Sequence, residues 1–68
     1  MSAALTPRER EVRDLMLLGL RCKPMARLLG ISRRTVEIHR GRVLRKSGVE
    51  NVVELVRATI DERGYYDS

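Results

Sequence analysis

Apolar residues along this chain recur every three or four positions, and no stretch alternates like a β-strand. Val12, Leu15, Met16 and Leu18 form the first set, and Met25, Ala26, Leu28 and Leu29 the second. Val36 and Val43, a helical heptad apart, anchor the third. Val52, Leu55, Val56, Ala58 and Ile60 form the fourth. Each set has its own start and stop. Thr6-Pro7-Arg8-Glu9 predicts a capping box, with Pro7 in the first helical position and Glu9 reaching back. Gly19 ends that helix. A short second helix is predicted over about Cys22–Leu29, with Pro24 tolerable only in its first turn. Gly30 stops it and Ser32 caps a third helix running to about Ser47, before Gly48. Asn51 and Glu54 predict a second capping box opening a fourth helix, which Gly64 ends. The expected architecture is all-α: a four-helix bundle over residues 5–64, with short tails at 1–4 and 65–68.

Only Gly30-Ile31-Ser32 separates the second and third helices. A three-residue turn containing glycine is the connection of a helix-turn-helix, whose second helix enters the major groove of DNA.

Composition narrows the core and the compartment. There is no Trp or Phe, so the core must come from aliphatic residues and methionine. A chain of 68 residues holds one small domain. The single cysteine, Cys22, cannot form an internal disulfide, and the longest apolar run, Leu15 to Leu18, is too short for a bilayer. No leader pattern opens the chain, and a cytoplasmic location without membrane contact is expected.

The charge is placed rather than spread. Residues 1–20 balance at zero, and residues 47–68 carry two basic against five acidic side chains. Residues 21–46 carry nine basic side chains against one acidic one, Glu37. Such a segment fits a polyanion.

Successive residues of the predicted third helix advance by about 100°. With Val36 turned to the core, Arg34, Ile38, Gly41 and Arg45 fall on the opposite face, flanked by Glu37 and Arg42. A face that served only to meet water would not favour Ile38, nor Gly41, which costs roughly 1 kcal/mol against Ala inside a helix. In a groove, Ile38 meets a thymine methyl, Glu37 accepts from a cytosine amino group, and Gly41 allows close backbone approach. Arg34, Glu37, Ile38, Gly41 and Arg42 are therefore the expected base contacts. Lys23, Ser32, Arg33, Thr35, Arg40, Arg45 and Lys46 are the expected phosphate contacts, with the stem of Arg40 packed inward. His39 lies at the core's edge, where a packed, hydrogen-bonded histidine is expected. One His and one Cys cannot make a zinc site, and no metal or cofactor is expected. Paired carboxylates, a phosphate loop and a triad are all missing, so the chain is not read as an enzyme.

The ordered set "LTPREREV" (Leu5–Val12), Gly19, Lys23-x-x-Ala26-x-x-Leu29, "GIS-x-RTVE-x-HR" (Gly30–Arg40), Lys46, Gly48 and "ELVR" (Glu54–Arg57) strongly resembles the LuxR/FixJ family. The resemblance covers about residues 5–60. It implies a four-helix output domain of bacterial transcriptional regulators, with a third helix that reads double-stranded DNA and a fourth that pairs subunits. It places base contacts on Glu37, Ile38 and Gly41. It also leaves room for RNA polymerase as a partner and for an upstream regulatory domain. The fourth helix carries a second stripe, Val53, Arg57 and Ile60, expected to pair two copies on DNA. The chain departs from the family pattern at Arg13, at Arg21 and Pro24, and at Gly41. Two other readings stay open: a region-four-like module of a sigma factor, and a basic helical module that binds an acidic protein.

Overall fold

The computed structural model describes residues 4–63, with side chains to residue 61. Four helices follow one another: α1 (Pro7–Leu17), α2 (Cys22–Leu29), α3 (Arg33–Lys46) and α4 (Val52–Arg63). Among the described residues there is no strand. Gly64, the expected stop of α4, and the expected tail at 65–68 lie outside the described residues, as do residues 1–3.

The predicted starts have their predicted chemistry. Thr6 Oγ1 accepts from the Glu9 N–H at 3.2 Å, while the Thr6 N–H donates to Glu9 Oε1 at 2.9 Å. Ser32 Oγ accepts from the Thr35 N–H at 3.0 Å and opens α3. Asn51 Oδ1 accepts from the Glu54 N–H at 3.0 Å. The carboxylate of Glu54 differs from expectation by one residue: it accepts from the Glu50 N–H at 2.7 Å. Either N–H lies within reach of a carboxylate in the first turn, and here the outer one is taken. α2 has no side-chain cap, since Arg21 stands at that position.

Three helices end in the same way. At the end of α2, Gly30 adopts φ 67°, a left-handed conformation that costs a residue with a Cβ. The next residue, Ile31, then donates its N–H back to Ala26 O at 3.1 Å. Gly48 at φ 71° does the same for α3, with Val49 N–H returning to Leu44 O at 3.0 Å. Leu20 returns to Leu15 O after α1. These 6→1 bonds occupy carbonyls the helix leaves open. They also turn Leu20, Ile31 and Val49 onto the core, where all three pack.

Every helix supplies that core. Val12 and Met16 come from α1, Met25 from α2, Val36 and Val43 from α3, and Leu55 from α4. α3 packs against both α1 and α2, and α4 packs against α1. Leu18 does not join them. It is 74% exposed, because it caps α1 on the side away from Val12, while Leu17 and Leu20 pack instead. α3 is thus held on its inner edge by two helices, and its opposite face is left to solvent.

Candidate nucleic-acid interface

The free face of α3 matches the one its periodicity predicts. Val36 and Val43 are fully buried. Arg34, Glu37, Ile38, Gly41, Arg42 and Arg45 are all exposed, and Ile38 keeps 45% of its surface. The structure therefore brings the expected base contacts onto one open face. Gly41 has nothing within 4 Å of where a Cβ would stand, so no neighbour in the domain demands a glycine there.

Glu37 is paired with Arg33 one turn earlier, Nε to Oε2 at 3.3 Å, with both side chains mostly exposed. Exposed pairs of this kind contribute little, so Glu37 is free to exchange its partner. At the same end of α3, Ser32 Oγ and Thr35 Oγ1 lie 2.8 Å apart. Two hydroxyls and Arg33 thus cluster at a helix N-terminus, where the dipole favours an anion. Lys23 is exposed in the first turn of α2.

Three further residues lie off the open face, Arg40 with its stem inward as expected. Lys46 is turned toward α1, where its Nζ donates to Glu9 Oε1 at 2.8 Å and lies 3.4 Å from Ala4 O. Arg40 is half-buried and lines a recess of about 400 Å³ with Met16, Leu20, Cys22 and Val52, away from the open face. His39 is half-buried, but its Nδ1 makes no hydrogen bond among the described residues.

Glu9 is the buried residue that capping logic alone undersells. It is 1% exposed, a carboxylate inside an otherwise apolar core. Burial by itself would raise its pKa. The hydrogen bond from Lys46, then that from the Thr6 N–H, outweigh burial and hold it below the ordinary 4.5. The signal lay in the spacing: Glu9, Val12 and Met16 share one stripe of α1. An acid on a core stripe requires a cation from a neighbouring helix, and Lys46 sits near the inward edge of α3.

A basic, open helix positioned by a glycine turn over a small helical core defines a helix-turn-helix DNA-binding module. The family model for "Bacterial regulatory proteins, luxR family" matches residues 3–59. The chain is 55% identical over 51 residues to the C4-dicarboxylate transport transcriptional regulatory protein DctR of Rhodobacter capsulatus, covering 75% of this chain and 26% of that protein. It is 44% identical over 57 residues to the transcriptional regulatory protein UhpA of Escherichia coli K12, covering 84% and 29%. Its fold is similar to that of the response regulator StyR, with a TM-score of 0.82 at 36% identity over 85% of this chain and 29% of that one. The chain belongs to the luxR family of bacterial regulatory proteins and carries that family's DNA-binding domain. It spans between a quarter and a third of the length of these relatives. The family consists of transcriptional regulators rather than enzymes. No described helix is long and apolar enough to cross a membrane.

Proposed function

We propose that this domain binds specific double-stranded DNA sequences with α3 in the major groove, as the output part of a transcriptional regulator. The observation that carries the reading is the open face of α3, where Arg34, Ile38, Gly41 and Arg45 line up opposite buried Val36 and Val43. A groove accepts such a face, and the exposed isoleucine and the glycine have uses there that solvent does not give them. Arg34, Glu37, Ile38 and Gly41 are assigned to base edges. Lys23, Arg33, Ser32, Thr35 and Arg45 are assigned to the backbone, where they set affinity and register. Lys46 is paired with Glu9 and Arg40 is half-buried beside a recess, so both have lesser parts in the contact. α4 pairs two copies on two-fold related half-sites. An upstream regulatory domain governs that pairing in the whole regulator. Its support is the small share of each relative that this chain matches.

Selection of binding sites from random duplex DNA tests the reading. A single preferred motif is expected, with affinity that falls as salt rises by a log–log slope of roughly −0.9 per phosphate contacted. Ile38→Ala and Glu37→Ala should relax preference at one or two base positions, at about 1–3 kcal/mol for a good contact. Tight binding with no sequence preference and a flat salt response would instead favour an acidic protein partner.

A further inference from the structure

Arg42 flanks the open face on the side away from Glu37. By the 100° step it lies roughly 70° from the middle of that face, on the side that meets α1. There the C-terminal half of α3 and the first turn of α1 enclose a recess of about 320 Å³, lined by Thr6, Glu9, Arg42, Arg45 and Lys46. Three cations and one carboxylate share this space. The carboxylate is already matched: Lys46 Nζ lies 2.8 Å from Glu9 Oε1, and the Thr6 N–H donates to the same oxygen. Arg42 and Arg45 are exposed and take part in no ion pair or side-chain hydrogen bond among the described residues. The recess therefore carries two uncompensated guanidinium groups, three residues apart on a helix and so neighbours on its surface. Guanidinium matches a phosphate oxygen pair in planar, bidentate fashion.

We propose that this recess seats one phosphodiester of the DNA backbone, held by Arg42 and Arg45 together, so that Arg42 is a backbone contact and not a base reader. The proposal rests on the DNA-binding reading above and adds where the strand passes: over the C-terminal half of α3, toward the first turn of α1. Glu9 is a positioning residue in this arrangement. It holds Lys46 on the wall of the recess, and Lys46 screens the buried carboxylate from the incoming phosphate.

The test uses the 68-residue chain and a duplex bearing its selected half-site. Arg42→Ala, Arg45→Ala and the double variant are compared, with circular dichroism confirming that each stays helical. The double variant should flatten the log-affinity against log-salt slope by about 0.9, the value for one phosphate. Its ranked sequence preference should match the parent's. Neutral methylphosphonate substitution, moved one linkage at a time, should find one position that weakens the parent and leaves the double variant unchanged. A slope change near 1.8, the value for two phosphates, would overturn the shared seat. A new base preference in Arg42→Ala would overturn it as well, by making Arg42 a reader. So would a scan in which methylphosphonate costs the double variant as much as the parent at every linkage. A parent that binds no duplex removes the DNA-binding reading itself, an outcome distinct from any of these.

Discussion

At the scale of single residues, Gly41 separates what the fold needs from what the interface needs. It sits inside α3 with a helical φ, and a Cβ there would meet nothing within 4 Å. Gly41→Ala should therefore stabilise the free domain by roughly 1 kcal/mol, through lost backbone entropy in the unfolded chain. The same methyl group should weaken DNA binding, if the backbone at this point approaches the groove wall closely. Thermal melting and a DNA titration on one variant check both halves, and equal affinity in parent and variant would remove close approach as the reason for the glycine. Val36→Ala and Val43→Ala act in the opposite sense. Both side chains are fully buried, so each truncation leaves a void and should cost about 1–3 kcal/mol of stability. Their effect on sequence preference should be nil, and an altered preference in either would mean that the inner edge of α3 also reads bases.

At the scale of elements, the pair Glu9–Lys46 joins the start of α1 to the end of α3. The folded carboxyl is held below 4.5, chiefly by the Lys46 hydrogen bond. A depressed acid contributes stability that is fully present above the unfolded value and is lost as pH falls through the folded one. The melting temperature of the parent should fall as the solution is acidified below 4.5. Glu9→Gln should melt lower at neutral pH and lose part of that acid-side fall. An acid limb of the same depth in the variant would place the linkage on another carboxylate. This tie also marks the limit of what the sequence discloses. Helix starts and stops depend on neighbours a few residues away, so Thr6, Ser32, Gly30 and Gly48 were legible from local chemistry. So was the open face of α3, because Val36 and Val43 fix its rotation. A link across 37 residues was not: the charge pattern that makes Lys46 a phosphate candidate says nothing of Glu9 as its partner. Helical spacing groups Leu18 with Val12, Leu15 and Met16, yet the left-handed turn at Gly19 sends Leu20 back to the core instead.

At the scale of the whole molecule, one face of α4 serves the domain and a neighbouring one is left over. Leu55 is buried in the core, with Val52, Val56 and Thr59 half-buried around it. Val53 is 65% exposed and Arg57 is exposed beside it, with Ile60 half-buried one turn further on. Two apolar side chains cannot hold a dimer unaided, since stable interfaces bury roughly 1,200–2,000 Å² in total. On the pairing proposed above, DNA would supply the rest by placing two copies side by side, turning a weak contact into cooperativity. The domain alone should therefore sediment as a monomer at micromolar concentration. Two copies should load together on half-sites related by a two-fold axis, about one helical turn apart. Val53→Asp puts a charge into the centre of that contact while standing clear of both the core and α3. It should abolish cooperativity on the paired site and leave affinity for a single half-site nearly unchanged. Loss of affinity on the single half-site would show damage to the domain itself. Cooperativity that survives the aspartate would move the subunit contact off this stripe, leaving exposed Val53 as an ordinary surface residue.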